Sequence, residues 1–369
     1  MYTSSKNRFP KLSKLPFLLL MMIVLVSSLG FVTLWSASGG QIDPWAKKQM
    51  INFCLFFPLS LLIAMIDIRI IYKFSYIFYF GVLLSLIGVE LFGVTAMGGK
   101  RWIDLGFTRL QPSEPAKLAI VLMLARYFHK LPLDNILKTS KILIPIIGVT
   151  VPAILIIKQP DLGTGIITLV VAVSIFFTAG IQLWKFITVG AGITILLPIA
   201  WQMMYDYQRN RVLVFLDPMK DPLGAGYNII QSKIAIGSGG LFGKGLSHGT
   251  QSHLDFLPEH QTDFIFSSLA EELGFIGCFG LLGLYILMIL ICIAITINCR
   301  SLFGKYMVVG ITTILFSHVF INIAMVMGIV PAVGVPLPFI SYGGTMMASM
   351  LIGMGLIMNA AVHRNSNIG

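Results

Sequence analysis

Residues 270–298 read AEELGFIGCFGLLGLYILMILICIAITIN. No charged side chain occurs between Glu272 and Arg300. A helix rising 1.5 Å per residue crosses the hydrocarbon of a bilayer in roughly 20 apolar residues, so this run is long enough to span one. Nine further runs of the same kind lie near 15–36, 49–66, 74–93, 112–129, 140–157, 161–180, 183–204, 303–327 and 340–361. The fourth, fifth and sixth in chain order are short or interrupted. The expected fold is an all-α polytopic membrane protein with about ten transmembrane helices, forming a single domain over 1–369. One long folded extracytoplasmic loop, 205–262, separates helices 7 and 8. The first run is too long for a cleavable leader and has no evident small-residue cleavage site.

Composition agrees. Of the 369 residues 56% are hydrophobic and 11% charged, about half the usual charged share. A soluble fold cannot hide that much apolar surface. The net charge of +11 comes from basic residues scattered singly between apolar runs, with no stripe that would track a nucleic-acid backbone. An anionic lipid, or an anionic lipid-linked substrate, is the natural partner. Cys54, Cys278, Cys292 and Cys299 lie in or beside apolar segments without CxxC spacing, which argues against a disulfide framework and a zinc site.

With the N-terminus inside, Lys and Arg divide fourteen to six between the two sides. The six opposite are Lys47, Lys48, Lys100, Arg101, Arg109 and Lys158. The bias predicts both termini in the cytoplasm and the long loop outside. No inverted pair of broken helices is evident, against the common transporter designs.

Within the loop, Tyr227, Ile230 and Ile234 fall at helical spacing and predict a short helix lying on the membrane face. The glycines of 237–245 imitate a phosphate-binding loop, but Ser238 stands where its first glycine belongs and Gly245 replaces the Ser or Thr after Lys244. Tight turns near the membrane are the better reading. His248, His253 and His260 are separated by five and seven residues, which is no helical metal pair.

Asp263 stands where the polar loop meets the eighth helix. A carboxylate pressed against apolar surroundings has its charged form disfavoured, which suits proton abstraction; capping the helix is the equally weighted alternative. Glu271 and Glu272 follow within two turns. Glu114 and Lys117 are three apart, as a helical ion pair would be, and an ionisable residue such as Lys117 inside a span is functional by default. With Arg109 at the same outer edge, these cations suit a diphosphate. Asp161 reads as an N-cap, and His318 as a helix–helix hydrogen bond. The segment with Pro331, Pro336 and Pro338 reads as irregular backbone, tolerated at membrane depth only against protein or a water-filled cavity.

The motifs GKRWIDLG (99–106), QPSEPAK (111–117), KQPDLGTG (158–165), the run 226–266 and VPLPFISYGG (335–344) occur in that order. Together they resemble the SEDS family of shape, elongation, division and sporulation proteins over nearly the whole chain, and its elongation branch more than its division branch. The resemblance implies a peptidoglycan glycosyltransferase that polymerises lipid II at the outer face of the bacterial inner membrane. It implies ten spans, a class B penicillin-binding protein as transpeptidase partner, and further elongation-complex proteins. The family's essential aspartate falls on Asp263. Its lipid II-handling residues fall on Arg109 and Lys117, with Glu114 beside them and Arg101 and Asp161 in neighbouring motifs. No cofactor is fixed by these motifs; a divalent cation such as Mg or Mn is one candidate aid to the diphosphate. A lipid II flippase and a non-catalytic scaffold are the rival readings. The outward concentration of charged motifs favours surface chemistry.

Overall fold

The computed structural model describes residues 14–96, 99–104, 106, 109–132, 138–204, 206–220, 225–249, 261–366 and 368. Helices stand at all ten expected spans: α1 (Phe17–Ala37), α2 (Trp45–Met65), α3 (Ile68–Phe92), α4 (Ser113–Lys130), α5 (Thr139–Lys158), α6 (Leu162–Thr178), α7 (Leu183–Met203), α10 (Ile265–Asn298), α11 (Leu302–Val326) and α12 (Gly344–Val362). The loop between α7 and α10 carries two more, α8 (Asp206–Leu216) and α9 (Ala225–Ser238). Seven of the ten are long and apolar enough to cross a membrane. Of the others, α6 has 17 residues and α4 carries Glu114, Lys117, Arg126 and Lys130. Helix α4 is packed against α3, α6 and α11, which buries Glu114 and Lys117 as a pair and leaves Lys130 exposed at its end. Outward faces of α1, α3 and α10 leave Phe17, Leu84 and Phe279 exposed, the surface a lipid sleeve covers.

Three departures from the expected pattern have physical causes. Helix α3 starts at Ile68, six residues earlier than its apolar run, because Asp67 caps it by accepting from the Arg69 amide at 2.9 Å. Between α3 and α4 lies a small antiparallel sheet of β1 (Val94–Ala96), β2 (Gly99–Asp104) and β3 (Arg109–Leu110). Helix α10 runs 34 residues, roughly 51 Å at 1.5 Å per residue, and breaks at Gly274 (φ 65°, ψ −164°). Its first part, through Glu272, is buried in protein.

The glycine-rich segment patches that break. Gly240 and Leu241 carbonyls accept from the Phe275 and Ile276 amides, at 2.9 and 3.2 Å, and the Lys244 and Gly245 amides donate to the Glu271 and Glu272 carbonyls, both at 3.0 Å. Both cut helix ends thereby find backbone partners. Contact is so close that a Cβ on Gly243 would sit 2.1 Å from the Glu272 carbonyl oxygen. Lys244 also pairs with Glu271 at 2.6 Å, and Ser36 donates to Glu272 at 2.5 Å. These two glutamates secure the break.

Helix α9 forms as expected, but Ile229, Ser232 and Ala235 face the protein, while Ile234 points outward. Elsewhere α12 packs on α2. Gly355 allows that approach: a Cβ there would lie 2.7 Å from the Ser60 carbonyl oxygen.

Candidate active site

Between α11 and α12 the chain forms no helix over 328–343. Pro331, Pro336 and Pro338 bar helical hydrogen bonding and remove donors, so the strap's carbonyls need side-chain partners. They have them. Asn322 donates to Val335 at 2.7 Å and Tyr285 to Pro338 at 2.5 Å. Gln49 donates to the Ser341 carbonyl at 2.8 Å and accepts from the Gly343 amide at 3.3 Å. His318 Nδ1 lies 3.2 Å from the Pro336 oxygen. Four side chains from three helices, α2, α10 and α11, therefore hold one irregular strap, which meets the requirement for such backbone inside a membrane protein. Gly30 on α1 lets it lie close, since a Cβ there would meet the Phe339 oxygen at 2.6 Å.

Asp263 is fastened to this strap. Three successive carbonyls are gripped: Gln261 by the Tyr342 amide at 2.9 Å, Thr262 by the Ser341 hydroxyl at 2.6 Å, and Asp263 by the Asn322 amide at 2.8 Å. The helix that follows has Phe264 in its N-cap position and no side-chain cap, so Asp263 stands one residue ahead of the capping site. Its side chain is half-buried. Gly334 (φ 69°) faces the carboxylate, and a Cβ there would reach 3.4 Å from Oδ2.

Glu114 and Lys117 pair as their spacing predicts, at 2.9 Å. Lys117, expected as a headgroup-level cation, is buried in the folded chain: its side chain is 1% exposed, and Nζ lies 2.6 Å from His318 Nε2. An ammonium is donor-only, so Nε2 accepts and the Nδ1 hydrogen donates to Pro336. Glu114 Oε2 is buried without a hydrogen-bond partner. A buried triad thus supports the strap from below.

The other expected residues divide. Arg109, on β3, is exposed and 3.8 Å from Asp104; its carbonyl accepts from Thr345 at 3.3 Å, which sets it beside the end of the strap. Arg101 clamps the α5–α6 turn, donating from Nε to the Gln159 carbonyl at 2.9 Å and from its other arm to that of Pro160. Asp161 caps α6 by accepting from the Thr164 amide at 3.2 Å, and it also accepts from Gln111 at 3.0 Å and Ser113 at 3.2 Å. Arg101 and Asp161 therefore brace the turn that carries β2 and α4. His253 and His260 lie outside the described residues. Among the described residues no group of three or more His, Cys, Asp and Glu side chains is set to hold a metal. A Mg or Mn ion would rest on one or two carboxylates and the phosphates themselves, a donor set Mg commonly accepts. Sequence reasoning passed over Asn322 and Gln49. Asn322 was detectable as a polar residue one turn beyond His318 in an apolar helix.

Residues 14–366 match the FtsW, RodA and SpoVE family of cell cycle proteins. The chain belongs to that family. Among its FtsW/RodA/SpoVE relatives, peptidoglycan glycosyltransferase MrdB of Escherichia coli (strain K12) is 43% identical over 363 residues, covering 98% of this chain and 97% of that protein. Stage V sporulation protein E of Bacillus subtilis (strain 168) is 34% identical over 359 residues, 93% and 96% of the two chains. The fold is also that of solved relatives. A chain from a peptidoglycan synthase complex, studied for the coordination of polymerization and crosslinking, superposes with a TM-score of 0.82 at 32% identity over 96% of this chain and 99% of its own. The rod shape determining protein RodA of Thermus thermophilus gives 0.73 at 27% identity, over 96% and 98%. Multi-pass helical membrane architecture is common to this FtsW/RodA/SpoVE member and those structures.

Proposed function

We propose that this chain polymerises lipid II into glycan strands for cell elongation and rod shape, with Asp263 as the catalytic base. One observation carries the assignment to Asp263: a half-buried carboxylate on a segment whose three successive carbonyls, its own and the two before it, are all gripped by the strap and α11. Such rigidity is what a general base requires and a solvated loop residue lacks. Kinship with proteins named peptidoglycan glycosyltransferases supplies the reaction class.

In the reaction, the 4-hydroxyl of the acceptor sugar gives its proton to Asp263 as its oxygen bonds to the anomeric carbon. The bond from that carbon to the diphosphate oxygen breaks, with inversion, and undecaprenyl diphosphate leaves. Arg109, exposed beside the strap's end, meets the charge developing on the diphosphate. Lys117 and Glu114 act from beneath, through His318, on the strap that carries the site. Arg101 and Asp161 keep the neighbouring turn in place. The basic bias supports an active site on the periplasmic side of the bacterial inner membrane, with both termini in the cytoplasm. A class B penicillin-binding protein is the expected partner; the synthase complex containing a similar chain supports that reading.

Purified full-length protein given labelled lipid II tests this. Asp263→Ala should lower the polymerisation rate by about 10²–10⁴-fold, the usual contribution of a general base, in variant protein whose fold is checked by its melting curve. Long glycan strands formed at the original rate by Asp263→Ala would overturn the assignment. Lipid II transfer across vesicles without polymerisation would favour a flippase instead.

A further inference from the structure

Asn322 and His318 stand one turn apart on α11, each 1% exposed or less. Their side chains meet successive strap carbonyls, Val335 and Pro336. Asn322 goes further. Its amide nitrogen donates at once to the Val335 oxygen and to the Asp263 oxygen, at 2.7 and 2.8 Å, while its Oδ1 is buried with no hydrogen-bond partner. The side chain is therefore held for its two donor hydrogens alone, an arrangement that leaves one acceptor unsatisfied.

We propose that Asn322 is a positioning residue for the base: by joining the Asp263 and Val335 carbonyls through one amide, it fixes where the Asp263 carboxylate stands over the acceptor hydroxyl. Through its neighbour His318, the same strap is tied to Lys117, so base and buried ion pair move as one unit. The inference rests on Asp263 being the base. A misplacement near 1 Å costs about 10²-fold in rate.

The test uses purified full-length protein and labelled lipid II. Asn322→Asp preserves volume but replaces both donors with an acceptor; Asn322→Ser, which keeps one donor, is the second variant should the first not fold. Asn359→Ala is the stability control. Asn359 is equally buried and donates to the Ile63, Ala64 and Ile66 carbonyls, at the far end of α12 from the strap. The Asn322 variants should lower kcat by about 10–10²-fold, with KM for lipid II within about 2-fold, since the diphosphate contacts are untouched. Asn359→Ala should lose comparable melting temperature and keep its kcat. Unchanged kcat in Asn322→Asp, or kcat losses in both Asn positions that simply follow melting temperature, would overturn the proposal. Asp263→Ala runs alongside: if it polymerises normally, the base itself is wrong; if it is silent while Asn322→Asp is normal, only the positioning role fails.

Discussion

Lys117→Met separates two roles for a lysine that the sequence alone places at headgroup depth. In the folded chain its ammonium lies 2.9 Å from Glu114 Oε1 and 2.6 Å from His318 Nε2, in a side chain 1% exposed. Methionine fills similar volume and removes the charge. Glu114 is then stranded: 3% exposed, with Oε2 already lacking a partner. Removing one member of a buried pair costs about 3–5 kcal/mol, because the other charge stays buried and uncompensated. His318 also loses its donor, adding about 1–3 kcal/mol. The melting temperature of purified protein in detergent should fall on the order of 10 °C. Adding Glu114→Gln removes the stranded charge and should restore most of that loss, a coupling a double-mutant cycle measures directly. The reasoning is refuted if Lys117→Met melts like the parent and only raises KM for lipid II. That result would put the ammonium on the substrate instead of in the triad.

Other substitutions probe the supports. Gly243→Ala should destabilise by about 3–5 kcal/mol, since its Cβ would meet the Glu272 oxygen at 2.1 Å at a φ of 78° and loosen the amides of Lys244 and Gly245. Gly237→Ala, in α9 with open space around it, should instead raise thermal stability by about 0.5–1 kcal/mol; the pair is read in one melting series. Arg101→Lys should lower stability by about 1–3 kcal/mol without changing KM, because an ammonium cannot fork between the Gln159 and Pro160 carbonyls. Arg109→Ala should leave melting unchanged, its exposed pair with Asp104 being worth under about 1 kcal/mol. Its KM for lipid II should rise about 10-fold and become less sensitive to salt.

The ten long helices were legible as mostly apolar runs, and seven of them are long and apolar enough to match a bilayer. What the runs did not reveal was set by neighbours far along the chain. Gly243 and Gly239 looked like turn glycines; their need for small size comes from backbone at Glu272 and Ala270, which no side-chain pattern advertises. The Lys117 pair with Glu114 followed from spacing on one helix, whereas its burial depends on α11. Asp263 was evident as a carboxylate at a polar–apolar boundary. Its fastening to 334–342 was not, since backbone carbonyls carry the links and every residue type has one.

The strap also sets a clock on biosynthesis. Gln49 waits for Ser341, 292 residues downstream, which at about 5–20 residues per second is roughly 15–60 s of ribosome travel. Until then the Gln49 amide near the start of α2 lacks its strap partners, and the Ile66 carbonyl just past the far end of α2 lacks Asn359. A chain cut short before α12 would leave both ends of α2 without the partners that fix them in the folded protein.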